Sequence, residues 1–526
     1  MNGAQPIPAP RFLPARLPRM CVPVWAADPS ELFQKADAVV RENSFIEFRL
    51  DYLPKPALAL QKLKTFVEYH PEALLVATCR RAVNGGKFRG SVASQVDILA
   101  KAANTGCHLV DMELESAAHL KPIDFARLRR SANLILSYHD FRGTKRLEET
   151  FAKMRQYPAD FFKVVSTANS LHDNVIMMKF LERHSHAHSM VGICMGEQGV
   201  ISRVLGVRAG SQFTFAASSP GEETAPGQIA ARTLRETYRI DQVDAATKVY
   251  GVAGDPIGHS LSPIMLNAAF RRENVNAVYL ALHAKTLDDL MVCVNDIPIN
   301  GLSVTMPYKE QILKHLDKTD PLTAKIGACN TVVRAQDGKL YGFNTDVAGV
   351  VRPLETRMRL PGLKVLVLGA GGSARAAVFG LKERGADVSI LNRTPAPAQT
   401  LAKQARAKAI NRTLLKKLEF DVIINATPVG MEGNRDPLPL AEQEFKAKYF
   451  FDMVYTPAET KMVKLARAKG LHVILGSEMF VQQGARQFET WSGKPAPVLE
   501  MQRVVDFALA QVAAAKNDNN LKKRSK

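Results

Sequence analysis

Long apolar runs are missing from this chain of 526 residues. No stretch approaches the roughly 20 consecutive apolar residues that a membrane-spanning helix needs. Tryptophan is almost absent, with two residues, and cysteine is sparse, with six. Cys21, Cys79, Cys107, Cys194, Cys293 and Cys329 show no paired spacing, which excludes a disulfide framework. Several lie in strand-like runs, as expected of reduced thiols in a cytoplasmic protein. Acids are short relative to bases, 51 against 70, giving a formal net charge of +19. Such an excess fits nucleic acid, anionic lipid or anionic small substrates. No aromatic-interleaved basic stripe or nucleic-acid module accompanies it, so neither nucleic acid nor membrane is the expected partner. The start, MNGAQPIPAPRFLPARLPRM, has arginines but no apolar core for a signal peptide, and its prolines oppose an amphipathic targeting helix. Residues 1–20 read as a flexible extension. The end, KNDNNLKKRSK, makes residues 513–526 read as a basic disordered tail.

What is present is an ordinary globular composition, 46% hydrophobic and 23% charged, on a chain too long for one core. The runs CVPVW, SFIEFRLD, ALLVATCR, HLVDMELE, NLILSYHD, DFFKVVS, SMVGICM and QFTFAAS alternate with helix-length segments over residues 21–245. That alternation predicts an α/β fold, a (β/α)8 TIM barrel, with a doubly wound sheet as the rival. The strands carry chemistry: Glu47 and Arg49 on the second, Arg80 ending the third, Glu113 on the fourth, His139 and Asp140 ending the fifth, Lys163 on the sixth. A barrel gathers the C-terminal ends of its strands into one mouth, where active sites form. Lys163 sits inside the apolar run ADFFKVVSTA. Either it snorkels to a strand edge, or desolvation makes a neutral amine available as a nucleophile.

The second half has a different grammar. VLVLGAGGSARAAVFGLKERGADVSILNRT reads strand, glycine turn, helix, strand. Gly369, Gly371 and Ala374 fit the dinucleotide fingerprint, in which glycines admit the pyrophosphate to a helix N-terminus. The second strand ends in Asn392, Arg393 and Thr394, without the acid that binds an NAD ribose. A guanidinium suits a 2′-phosphate, so NADP is the expected cofactor.

These motifs resemble two known families. SYHDF, FFKVV, GVISR and APGQI resemble type I 3-dehydroquinate dehydratase. GHSLSP, GLSVTMPYK, GACNTV, GFNTD, INATPVGM, DMVY and SEMFVQQ resemble shikimate dehydrogenase. The two resemblances together imply a bifunctional shikimate-pathway enzyme: a barrel over 21–245, a substrate-binding domain over 248–358, a Rossmann domain over 359–480, and C-terminal helices over 481–512 returning to the substrate domain. In the first half they imply Lys163 as the Schiff-base lysine and His139 as general acid/base. Glu47, Arg49, Arg80, Arg203 and Gln228 would hold 3-dehydroquinate. In the second they imply Lys309 and Asp346 as the catalytic pair. Ser260, Ser262, Thr305, Asn330, Thr345, Tyr455 and Gln483 would hold 3-dehydroshikimate or shikimate. NADP(H) would lie on Gly369, Ala370, Gly371, Gly372, Ser373, Ala374, Asn392, Arg393, Thr394, Thr427, Met453 and Gly476. One departure concerns AVNGGKF, where Asn84 stands in place of the family's usual glutamate, predicting an altered pH dependence.

Other readings of single residues are bland. Lys309 could be an exposed lysine in a helix's first turn and Asp346 an N-cap. His184, His186 and His188 read as a solvated loop rather than a metal site, and neither implied reaction needs a metal. Trp25 and Trp491 read as packing residues. Quinate with NAD is the alternative substrate and cofactor, and a catalytically silent regulator the alternative class. Monomer and homodimer are both compatible with the sequence.

Overall fold

The computed structural model describes residues 13–258 and 260–524, with side chains described to residue 514. It falls into two compact units, one running to Thr247 together with Leu282–Ile297, the other comprising Lys248–Ala281 and the chain from Pro298 onward. The excursion of Leu282–Ile297 into the first unit departs from the single break expected at residue 248. Asp289 there accepts the N–H groups of Leu171 and His172, capping the helix Leu171–His184.

The first unit is a nearly closed parallel barrel. Its strands are β1 (Met20–Val24), β2 (Phe45–Arg49), β3 (Leu74–Thr78), β4 (Leu109–Glu113), β5 (Asn133–His139), β6 (Phe161–Thr167), β7 (Met190–Met195) and β8 (Thr214–Phe215). They are ordered β7-β6-β5-β4-β3-β2-β1-β8. The Gln212 N–H donates to the Met190 carbonyl at 2.8 Å and helps close the gap between the two ends. Side chains two apart share a face of a strand, and this rule builds the interior in layers. Phe45, Val76, Leu109, Ile135, Phe161 and Val191 form one apolar floor with Leu17, Phe213 and Phe215. Burying each such side chain contributes about 1.5–3 kcal/mol. One step of two residues higher, the same faces carry Glu47, Thr78, Asp111, Ser137 and Lys163, all buried. A further step carries Arg49, Arg80, Glu113 and His139. The strands are apolar below and ionisable above.

The second unit holds two sheets. The first contains β9 (Lys248–Gly254), β10 (Ala277–His283), β11 (Ile299–Val304), β12 (Lys318–Thr319), β13 (Thr331–Arg334) and β14 (Leu340–Phe343), ordered β10-β9-β11-β13-β14-β12 and mixed in direction. The second contains β15 (Lys364–Leu368), β16 (Asp387–Leu391), β17 (Lys408–Ala409), β18 (Val422–Asn425), β19 (Tyr449–Asp452) and β20 (His472–Ile474), ordered β17-β16-β15-β18-β19-β20. All its pairs are parallel, the doubly wound order. Helix Gly476–Ser492 packs against helix Asp346–Glu355 closely enough that a Cβ on Gly349 would meet the Met479 carbonyl at 2.8 Å. Trp491, near the end of helix Gly476–Ser492, is buried against the first sheet, donating from Nε1 to the Val332 carbonyl.

Several expectations change. The expected N-terminal extension, residues 1–20, lies outside the described residues over 1–12. Beyond that, Leu17 is buried in the barrel floor and β1 begins at Met20, because the open barrel end leaves an apolar surface to cover. The tail expected to be disordered from residue 513 continues the helix Val498–Arg524, since a nucleated helix propagates at little cost per residue; residues 525–526 lie outside the described residues. Nor do the three histidines form one solvated loop: His184 and His188 pack on the Phe151 ring, and His184 Nε2 lies 2.8 Å from Glu148.

Candidate functional site

The barrel mouth is organised around one carboxylate. Asp111, on β4, is 1% exposed. Its Oδ2 accepts from Lys163 Nζ at 2.9 Å, and its Oδ1 accepts from Arg80 Nη2 at 3.0 Å and Ser137 Oγ at 2.6 Å. Burial alone would raise its pKa, but the adjacent Lys163 and Arg80 charges hold it well below the usual carboxylate range. Lys163 is also buried, with Nζ 4.1 Å from the Phe215 ring centroid. The snorkelling alternative is thereby excluded.

Arg80 extends the network to His139. Its Nη1 lies 2.8 Å from His139 Nε2. A guanidinium only donates, so Nε2 is an acceptor and the imidazole is neutral. Burial, then Arg80 and Lys163, push the His139 pKa well below its ordinary value. Phe141 stacks on the His139 ring, with centroids 6.3 Å apart. A Cβ on Gly85 would come within 2.4 Å of Phe141, so the loop after β3 reaches this pair through a glycine. The neighbouring Asn84 has a buried Nδ2 without a hydrogen-bond partner, and the polar contact on the His139 ring comes from Arg80 instead.

Another buried cation lies in the same unit. Arg203, in helix Val200–Leu205, is 1% exposed. Its Nη2 donates to the Pro226 carbonyl at 2.9 Å, while its Nε has no partner. Burial lowers its pKa to about 10, with no carboxylate opposing the shift. A cation so placed is costly unless something negative joins it. Gln228 belongs to the same loop as Pro226, its Oε1 accepting the Thr224 N–H. Glu47 accepts from Thr78 Oγ1 at 2.6 Å, and Arg49 is clamped bidentately by Asp51. Glu113 accepts from the Arg81 N–H and Gln95 Nε2, and its pKa is raised by burial.

In the second unit Lys309 Nζ lies 2.5 Å from Asp346 Oδ2. Lys309 sits in a turn rather than a helix, and Asp346 is the first residue of its helix, buried, with Thr345 as N-cap. Asn330 Nδ2 donates to Asp346 Oδ1 at 2.8 Å, and Asn330 Oδ1 accepts the Thr345 N–H at 2.7 Å. Gln487, Ser303 and Tyr279 continue this network behind Asn330 and Thr331. Ser260 accepts the Ser262 N–H at the start of helix Ser262–Arg272. Tyr455 stacks on Phe480, and burial raises its pKa. Gln483 donates to the Phe480 carbonyl on the same helix. Thr305 donates its N–H to Ala253, at the end of β9.

The glycine turn leaves β15 at Gly369, whose φ of +107° favours glycine. A Cβ on Gly371 or Gly372 would meet nothing within 4 Å, so the N-terminus of helix Gly372–Glu383 stands open, while Ala374 is buried beneath it. Ala370 lies in this turn and Ser373 in the first turn of that helix. Thr427 Oγ1 donates to Asn425 at 2.6 Å at the end of β18, and the Met453 N–H donates to the Asn425 carbonyl at 3.0 Å. A Cβ on Gly476 would lie 2.3 Å from the Val454 carbonyl. Asn392 Nδ2 donates to the Thr394 carbonyl, and the exposed Arg393 lies 3.3 Å from Asp436. Among the described residues no group of three His, Cys, Asp or Glu could hold a metal.

The model of type I 3-dehydroquinase matches residues 20–245. Models of the shikimate dehydrogenase substrate binding domain, shikimate / quinate 5-dehydrogenase and the shikimate 5′-dehydrogenase C-terminal domain match 252–332, 354–431 and 476–505. The chloroplastic bifunctional 3-dehydroquinate dehydratase/shikimate dehydrogenase of Arabidopsis thaliana is 34% identical over 502 residues, 91% of this chain and 82% of its own. The chain belongs to this bifunctional family. Shikimate dehydrogenase (NADP(+)) of Methanosarcina acetivorans is 40% identical over 277 residues, 50% of this chain and 99% of that one. A solved structure, dehydroquinate dehydratase and shikimate dehydrogenase from S. pombe AroM, is 25% identical, covers 92% of this chain and 98% of that chain, and has a TM-score of 0.44.

For a bifunctional dehydratase/dehydrogenase, the sequence motifs name the candidate residues of both centres but miss the residues that support them. Lys163, Arg80 and His139 are brought together through Asp111. Arg203 and Gln228 share only the loop around Pro226. Asp111 was legible in HLVDMELE, two residues before Glu113 and therefore on its face of the strand. Gln487 and Tyr279 carried no such signal, being ordinary residues of a helix and a strand.

Proposed function

We propose that this chain dehydrates 3-dehydroquinate through an imine on Lys163 and reduces the resulting 3-dehydroshikimate with NADPH. The observation that supports both halves is the same in each: a lysine Nζ held on a buried carboxylate, Lys163 on Asp111 and Lys309 on Asp346. In the barrel, Nζ condenses with the substrate ketone, and the iminium acidifies the neighbouring carbon. His139, neutral, removes that proton and returns one to the departing hydroxyl, so the hydroxyl leaves as water. Arg203 clamps the carboxylate, with Gln228, Glu47, Arg49 and Arg80 around the ring hydroxyls. Water then releases Lys163.

In the second unit, Ser260 and Ser262 hold the carboxylate, and Thr305, Asn330, Thr345, Tyr455 and Gln483 hold the hydroxyls. The open turn at Gly371 and Gly372 fits a pyrophosphate. Gly369, Ala370, Ser373, Ala374, Asn392, Thr394, Thr427, Met453 and Gly476 would line the rest of the cofactor. NADPH, when bound, supplies hydride. Lys309 gives the proton that neutralises the developing alkoxide, and Asp346 holds its ammonium in place. Arg393 is free to turn from an exposed aspartate to a 2′-phosphate, which would carry the preference for NADP. The domain limits, cytoplasmic location and monomer or homodimer state expected above are part of this proposal.

The test is NADPH oxidation by the pure protein given 3-dehydroquinate alone. Consumption means both centres work in sequence. Silence, followed by consumption on adding 3-dehydroshikimate, places the failure in the barrel; silence with both overturns the reading. Comparing kcat/KM for shikimate with NADP and for quinate with NAD decides the alternative.

A further inference from the structure

The reacting nitrogen of Lys163 does not face the barrel mouth alone. It lies between the Asp111 carboxylate at 2.9 Å and the face of Phe215, its centroid at 4.1 Å. Asp111 is immobilised, because its other oxygen is taken by Arg80 and Ser137. Lys163 and Asp111 are both buried, so bulk water cannot solvate a charge formed here.

The charge on this nitrogen follows from the chemistry. Overall, an ammonium and a ketone give an iminium and one water. The nitrogen first gives up one proton, which frees the lone pair that forms the C–N bond, and then a second. Both protons leave on the carbonyl oxygen as water, and the nitrogen carries one positive charge before and after. Desolvated, that cation needs a fixed anion. Asp111 already supplies one to the ammonium. Because the net charge is unchanged, the same carboxylate serves the iminium without rearrangement. Arg80 joins this carboxylate to His139, so the counter-ion and the base belong to one rigid unit.

We propose that Asp111 is a catalytic residue of the dehydratase, the counter-ion that holds Lys163 Nζ for attack and stabilises the iminium formed on it. This rests on the imine reading of the barrel, and the experiment separates the two. The full chain is incubated with 3-dehydroquinate and sodium borohydride, and the reduced adduct is quantified by intact mass. The wild type gains one adduct that Lys163→Ala lacks; no adduct in the wild type overturns the imine reading itself. With that adduct established, Asp111→Asn is expected to lower the trapped fraction at least about tenfold and kcat at least about a hundredfold, as loss of a buried charge partner does. Undiminished trapping overturns the role of Asp111. A crystal structure of the trapped wild-type adduct decides it without any variant: the secondary amine nitrogen within hydrogen-bond reach of Asp111 supports the role, and a nitrogen turned away from it overturns it.

Discussion

Lys163 and Lys309 are the two lysines proposed to carry the chemistry. Each meets a buried carboxylate, Asp111 and Asp346, where the other lysine ion pairs among the described residues lie on exposed or half-exposed ones. Lys163→Ala should abolish turnover of 3-dehydroquinate and leave 3-dehydroshikimate reduction intact, while Lys309→Ala should do the reverse, each by at least about 10³-fold; separate assays of the two steps check this. Arg203 is a buried cation without an acid, lowered to about 10 by burial. Arg203→Met removes that burden along with the anion clamp. It should raise the melting temperature while dehydratase kcat/KM falls about 10²-fold, mainly through KM. His139 works as a base only when neutral, and its pKa is depressed, so the acid limb of dehydratase kcat/KM against pH should lie well below pH ~6.5. Asn84→Glu adds an anion next to the Gly85–Phe141–His139 contact and should move that limb upward; a superimposable profile removes Asn84 from any role in proton transfer.

At the scale of elements, each site depends on where a strand stops and a loop folds back. The loop Gly221–Gln228 brings the Pro226 carbonyl to Arg203. Gly227 has a φ of +74°, and a Cβ there would lie 2.2 Å from the Gly196 carbonyl. Gly227→Ala should therefore displace this loop at a cost of about 1–3 kcal/mol, raising the dehydratase KM with little change at the dehydrogenase centre; steady-state kinetics with each substrate reads it. The strands themselves were legible because a barrel interior imposes a two-residue period, and Glu47, Arg49, Asp111, Glu113, Ser137, His139 and Lys163 all obey it. The continuation of the last helix through Arg524 was not legible: its polar residues carry no amphipathic signal, and a helix already started needs none to propagate.

For the whole molecule, the charge of +19 matters more to encounter than to fold. Both substrates and the cofactor are anions, so kcat/KM for each half should fall several-fold between about 0.02 and 0.5 M salt, with kcat nearly constant. A salt-independent kcat/KM would show that the surface charge does not steer substrate. No helix among the described residues is long and apolar enough to cross a membrane.

The sequence by itself determined the alternation of strands and helices in the first half, the different grammar of the second and the glycine turn. It also singled out Lys163, Lys309 and His139 as candidates, because each is written in local spacing or a contiguous motif. Tertiary structure alone decided who faces whom. Asp111 is 52 residues from Lys163 and 31 from Arg80 along the chain, yet it touches both. Closing eight strands into a barrel is what brings those side chains to hydrogen-bond distance, and there the Lys163 and Arg80 cations, against the cost of burial, hold Asp111 as a fixed anion.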